Sequence, residues 1–234
     1  MRMSILRSIT SVSFFATWCA TVVSAAEPVS VDFRAVYFDP GETTPPVFYM
    51  GGKKAGREHL DLDKSRLSDT QNATVREGRM VDFFLTKEPQ KDEKPAVSIT
   101  LPQNFQGAML VVLASSATSY QAWAIPLPPN DFPAGGNLLI NISPSELAFK
   151  AGNDKPIRVL PSKHQFLKAP AGLKDDMMPI QIFQKTAQAK DAAWQIVQST
   201  RWAVDRRFRS YVFFYQPDKG RLMMHGISER LSLP

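Results

Sequence analysis

From Val29 onward the chain alternates apolar and polar residues in runs too short for a helix. In VSVDFRAVYF, residues Val29, Val31, Phe33, Ala35 and Tyr37 fall on one face and Ser30, Asp32 and Arg34 on the other. A period of two sends successive side chains to opposite sides of a strand, so the run reads as a half-buried strand. HLDLD, RMVDFFLT, AVSIT and SYQAWAI follow the same rule, separated by clusters of Gly, Pro, Ser and Asn. AMLVVLA is apolar at both parities, as expected of a central strand covered by a second sheet. No segment sustains an i, i+3, i+4 apolar stripe for three turns, so little helix is expected.

IPLPPNDFPAGG interrupts the alternation with prolines at 126, 128, 129 and 133. Proline cannot donate a ladder hydrogen bond, so this stretch marks a boundary. Beyond it the pattern restarts in NLLINIS, ELAFK, PIRVL, KHQFL, PIQIFQK, AWQIVQSTRW, RSYVFFY and RLMMHGI. Strands this short and this regularly spaced predict an all-β chain of two consecutive antiparallel β-sandwich domains, immunoglobulin-like in type. Their expected limits are 27–128 and 131–231. The halves show no convincing alignment, and no repeat of 20–50 residues is visible. TKEPQKDEKPA reads as a charged hairpin loop. TPPVFYMGGKKAGRE reads as a loop-rich patch, and its glycines follow no phosphate-cradle spacing.

The first 26 residues have the layout of a secretory signal peptide. Arg2 and Arg7 precede an apolar stretch from Ile9 to Val23, and small residues at Ser24, Ala25 and Ala26 precede Glu27-Pro28. Cys19 is the one cysteine, so the processed chain has no disulfide and no thiolate. An exported chain of this size without a disulfide fits a bacterial envelope, periplasmic or secreted. No later stretch is long and apolar enough to span a membrane. Net charge is −2 over residues 27–130 and +6 over 131–234. The modest total argues against nucleic acid, and the asymmetry places any anion on the second half.

Residues that could carry chemistry are scattered. His59, His164 and His225 stand alone, whereas a metal site needs three or four converging ligands. DLDKSRLSD begins like a calcium loop, but Arg66 stands where glycine is needed and Asn72 where a bidentate glutamate belongs. Alternation with Leu60 and Leu62 assigns Asp61 and Asp63 to the solvent face of a strand. No Gly-x-Ser-x-Gly elbow surrounds the Ser115-Ser116 turn. Asp92-Glu93 and Asp175-Asp176 fall in polar loops. The methionine pairs at 177–178 and 223–224 read as core and loop residues. No cofactor and no metal are expected.

The stretch RWAVDRRFRSYVFFYQPDKGR concentrates the basic charge. It reads as a strand at 193–202, a loop near 203–208 and a strand at 209–215 turning back, with QPDKG leading to a third strand at 221–227. Two readings of its arginines stand. They are solvated charges at a hairpin tip that discourage edge aggregation. Alternatively Arg201, Arg206, Arg207 and Arg209 are forks for phosphate, sulfate or carboxylate, with Trp202 as a stacking platform beside them.

DFPAGGNLLINIS, QSTRWAVD, RSYVFFYQPDKGR and HGI resemble elements of a family of exported all-β bacterial proteins to which no activity is attached. The resemblance covers about residues 131–227 and implies export and a sandwich; it carries no catalytic residues. The expected function is that of a non-catalytic binding or interaction protein of the envelope, whose partner is an anionic glycan or an envelope protein. Two rivals are an envelope polysaccharide hydrolase, with carboxylates brought together by the fold, and a structural subunit of an envelope complex. Expression in a bacterial host followed by intact-mass measurement tests the leader: the exported chain should start directly after Ala25 or Ala26.

Overall fold

A computed structural model describes residues 29–38, 44–52, 56–103, 105, 107–115, 120–170, 172–185, 193–217 and 220–231. The expected signal peptide, Ser116 and residues 186–192 lie outside the described residues. The first half of the chain forms β1 (Ser30–Tyr37), β2 (Val47–Met50), β3 (Arg57–Leu60) and β4 (Gln71–Thr74). It continues with β5 (Met80–Phe84), β6 (Val97–Thr100), β7 (Met109–Ser115) and β8 (Tyr120–Pro126). The second half forms β9 (Asn137–Asn141), β10 (Leu147–Ala151), β11 (Ile157–Val159) and β12 (Lys163–Leu167). After a 3-10 turn at Lys174–Asp176 come β13 (Met177–Lys185), β14 (Trp194–Ala203), β15 (Phe208–Tyr215) and β16 (Met223–Arg230). Among the described residues no helix is long and apolar enough to cross a membrane.

These strands make four four-stranded sheets, paired into two sandwich-like domains. In the first, the sheet β4-β1-β7-β8 faces β3-β2-β5-β6 across a core of Phe33, Tyr49, Phe83 and their neighbours. In the second, β12-β9-β15-β16 faces β11-β10-β13-β14 across Leu139, Phe149, Ile182 and Phe214. The all-β expectation holds, with one difference. Each sandwich contains a parallel pair, β1 with β7 and β9 with β15. The opening strand of each half lies beside a strand reached only after the chain has visited the other sheet. That long crossover lets the two strands run the same way.

Raising every strand number by eight turns the first half into the second. The sheet orders map onto each other, and so do all six strand pairings with their sense. The register of the inner sheets is shared too. Val36 pairs with Val112 and Ile140 with Phe213; Leu110 pairs with Ile125 and Tyr211 with Ile227. Phe38 donates its backbone N–H to Leu113 O, and its counterpart Ile142 donates to Phe214 O. The chain is therefore a topological duplication that the sequence does not display. Such a fold requires alternation and turns at the right places, and quite different apolar residues satisfy that requirement.

The equivalent sheets of the two halves pack face to face. Val36, Phe38, Leu110, Val112 and Ile125 from the first meet Leu138, Ile140, Tyr211, Phe213 and Ile227 from the second in one central core. This explains the runs that are apolar at both parities. In β7, Met109, Val111 and Leu113 face the first sandwich core while Leu110 and Val112 face the central one. In β15, Tyr211 and Phe213 face the central core while Val212 and Phe214 face the second. Leu127 and Phe132 of the proline-rich junction are buried in the same central core, so the junction is packed in place. Gly135 adopts φ 79, and a side chain there would crowd Val204, so glycine lets the junction lie against the loop before β15.

On one side this seam is closed by aromatic rings. Phe38 stacks on Phe213 at 5.1 Å, meets Tyr215 edge-on at 5.0 Å and lies 6.2 Å from His225, whose Nε2 is 2.9 Å from Lys64 O. Because the halves share this core, they should unfold together. Urea titrations followed by circular dichroism and by tryptophan fluorescence should give one coincident transition. Phe38→Ala should lower the stability of the whole chain by about 3 kcal/mol, the cost of truncating a buried phenylalanine.

Candidate functional site

The basic stretch is built differently from the expected three-strand meander. β14 pairs with β13 in the outer sheet, whereas β15 pairs with β9 and β16 in the inner sheet. The loop from Val204 to Arg207 is thus a crossover between sheets and no hairpin tip. The alternation of AWQIVQSTRW and RSYVFFY fits either arrangement, and burial decides it. Five consecutive residues of β14, Gln195–Ser199, are exposed, while Tyr211, Val212, Phe213 and Phe214 are buried and need a covered sheet. The strand YVFFY is central, as its composition implies.

The five residues proposed from sequence fall into different surroundings. Trp202 is half-buried, pairs with Met178 and packs on the second sandwich core. Arg207 is held by Asp205, with Nε 3.0 Å from Oδ1 and Nη2 2.6 Å from Oδ2. Hydrogen bonds from the Arg207 side chain and backbone N–H hold the Asp205 carboxyl down to about 2. Arg209 lies 5.3 Å over the Phe132 ring and opposite Glu229 on β16. Arg201, facing out beside Pro179, and Arg206 are exposed and unpaired among the described residues.

The fold brings other charges together at the seam. Glu229 of β16 receives the Arg34 guanidinium from β1 and the Tyr211 hydroxyl at 2.6 Å from β15. Arg34 Nε also donates to Ser68 O at 3.0 Å. The cross-half part of this network was invisible in sequence, because Arg34 lies 195 residues from Glu229 along the chain. Elsewhere the carboxylates serve as turn and strand clamps. Asp63 accepts from Ser65 N and Oγ at 2.7 Å each and contacts Arg66, which also reaches Asp61. β3 ends at Leu60, so Asp61 and Asp63 close a turn; the strand expected to carry them stops short. Glu93 is held down to about 2 by Thr86, the Gln90 N–H and Arg57. The three histidines stay apart, and among the described residues no group of three metal-ligating side chains forms.

A cleft of about 290 Å³ opens between the halves on the side away from Phe38. β6 and β8 of the first half and β9 and β12 of the second line it. Buried Ile125 and Ile140 form its floor, and half-exposed Trp123 and His164 stand in its walls. Ser98, Thr100, Ser162 and exposed Lys163 complete the rim, and among the described residues no carboxylate lines it. Burial, and secondarily Lys163, lowers the pKa of His164, so its ring is neutral near pH 7. In sequence His164 looked solitary. Its cleft partners come from strands some 40 and 65 residues earlier in the chain, and only their register unites them.

The buried Tyr211 phenol makes the seam sensitive to alkali. Burial, then the Glu229 hydrogen bond and charge, raises its pKa above the ordinary 10.0. The folded chain therefore keeps a proton that the unfolded chain releases, so this contribution is intact below pH 10 and declines as pH rises above it. Tyr211→Phe should cost about 2 kcal/mol at pH 8, the worth of a hydrogen bond to a charged acceptor. It should also flatten the fall in urea midpoint above pH 10 relative to the parent. No protein-family model matches the chain, and no curated protein sequence is significantly similar to it.

Proposed function

We propose that the protein is an exported, non-catalytic binding protein of the bacterial cell envelope that engages an acidic glycan along the outer sheet of its second half. One observation carries this reading. The outer sheet of the second half ends in β14, an edge strand of ten residues, where its counterpart β6 has four. β6 lies against β8, so the first half closes its edge; among the described residues β14 has no comparable contact with β16. β14 instead exposes Ile196 and Val197, 59% and 42% accessible, and leads from Arg201 into the loop carrying Arg206. An open strand with apolar side chains along it and free guanidinium groups at one end suits a long anionic chain laid across it. The export signal and the resemblance of the STRW and VFFY…GR elements to exported bacterial proteins support the same setting.

Three carboxylates are tuned away from the acid role that hydrolysis needs. A glycoside hydrolase needs an acid whose pKa is raised. Asp63, Glu93 and Asp205 are instead each held down to about 2 by hydrogen-bond donors. An array of acidic and neutral glycans, probed with the wild type and with the Arg201→Ala/Arg206→Ala pair, tests the reading. The wild type should select acidic chains, and the pair should bind them about tenfold more weakly, since each exposed ion pair contributes up to about 1 kcal/mol. Equal binding by the two proteins, or no preference for acidic chains, would overturn it.

A further inference from the structure

The duplication gives the central seam two related sides, and only one of them is filled. On the filled side Phe38 follows β1, His225 stands on β16, and Leu67 is buried in the central core. On the open side the same places in the topology hold different residues. Ile142 follows β9, matched to Phe38 by the shared backbone hydrogen bond. Trp123 on β8 pairs with Val112 as His225 on β16 pairs with Phe213. Lys163 and His164 pair with Asn141 and Ile140, on the edge of the inner sheet. A smaller residue at 142 and a lysine and histidine on the edge strand leave the cleft described above.

What lines that cleft is chemically specific. The Trp123 indole N–H, the His164 ring nitrogens, the Lys163 ammonium and the Thr100 and Ser162 hydroxyls make no hydrogen bond within the chain among the described residues. Five side chains with free polar atoms thus converge on a floor of buried isoleucine beside a half-exposed tryptophan face. Tryptophan is amphipathic, with a broad apolar face that suits the C–H face of a sugar ring. Hydroxyls and a neutral imidazole suit sugar hydroxyls, and an ammonium without a neighbouring carboxylate among the described residues suits a carboxylate on the ligand. A volume of about 290 Å³ is at the small end for ligand pockets, which limits the guest to one ring.

We propose that this cleft is a binding site for a single acidic sugar residue, a sugar carboxylate of the hexuronate type, seated on Trp123 with its carboxylate at Lys163. The site deepens the reading of the protein as an acidic-glycan binder, yet it uses none of the residues of the β14 surface. Each can therefore fail alone.

Titration calorimetry on the full processed chain tests it, with D-glucuronate and D-galacturonate as probes, D-glucose and acetate as comparators, and a short oligogalacturonate to distinguish a free sugar from a chain end. The wild type should bind at least one of the uronates, or the oligomer, at least tenfold more tightly than glucose or acetate. Lys163→Met, at an exposed position, should lose that tenfold preference. Ile142→Phe, which restores the ring present on the filled side, should abolish binding while the far-ultraviolet dichroism and the thermal midpoint stay at or above those of the wild type. Arg201→Ala/Arg206→Ala should leave uronate binding in the cleft unchanged. Absence of binding by both uronates and by the oligogalacturonate at millimolar concentration overturns the proposal. So does wild-type affinity in either Lys163→Met or folded Ile142→Phe.

Discussion

The central core between the two inner sheets sets the conditions for everything else in this chain. A sheet covered on one face needs apolar residues at one parity; a sheet covered on both needs them at both. β7, β9 and β15 meet the second condition, with Leu110, Val112, Leu138, Ile140, Tyr211 and Phe213 turned toward the seam. Separating the halves would bring these side chains into water, together with Leu127 and Phe132 of the junction. The polar groups at the seam are subordinate to that burial. Glu229 tolerates its partly buried place because Arg34 and Tyr211 both attend it, one from each half. The seam is thus a hydrophobic contact with a charged clasp at its margin.

Much of this architecture was legible in the alternation of residues. Most strand positions, the buried status of YVFFY and the strand break at the prolines follow from periodicity and from what proline cannot do, whereas β2, inside a stretch that reads as loop-rich, and β4 carry no such signal. What could not be read is which strand pairs with which. RWAVDRRFRSYVFFY has the pattern of a hairpin, yet its two strands belong to different sheets. Local pattern fixes the face a residue occupies, while pairing is decided by distant burial, here by β9 and β16 competing successfully for β15. The same limit hid the cleft. Trp123, Lys163 and His164 are unremarkable apart, and nothing in their spacing announces that β8 lies across β9 and β12. The arginines at 206 and 207 were conspicuous in sequence, whereas the fold spends Arg207 on Asp205.

Duplication supplies an internal control that a single domain lacks. Features present in both halves, such as the parallel inner pair and the backbone bond after its first strand, belong to the fold. Features present in one half need another cause. Three stand out: a ten-residue open edge at β14 against a covered four-residue β6, an open seam at Trp123 against a closed one at Phe38, and the positive charge of the second half. Long exposed edges invite unwanted strand pairing and are usually shortened, charged or bulged. β14 keeps its length and carries a register shift opposite Ile182 and Phe183 together with Arg201, so its edge is blunted against other strands while its face stays available.

The seam also explains how a cleft can persist in a tightly packed interior. Where Phe38 and Leu67 fill the gap, apolar contact draws the inner sheets together. Across the core, the shared register holds β8 and β9 at a spacing that Ile142 is too small to bridge. Neither sheet can move closer there without displacing Val112 and Phe213, which already meet at the centre of the seam. Because interiors have little compressibility, filling one side of the seam holds the other side open. The cavity is therefore a consequence of packing elsewhere in the seam. A guest would enter a site already formed, with the ordering of its walls met by the folding of the whole chain.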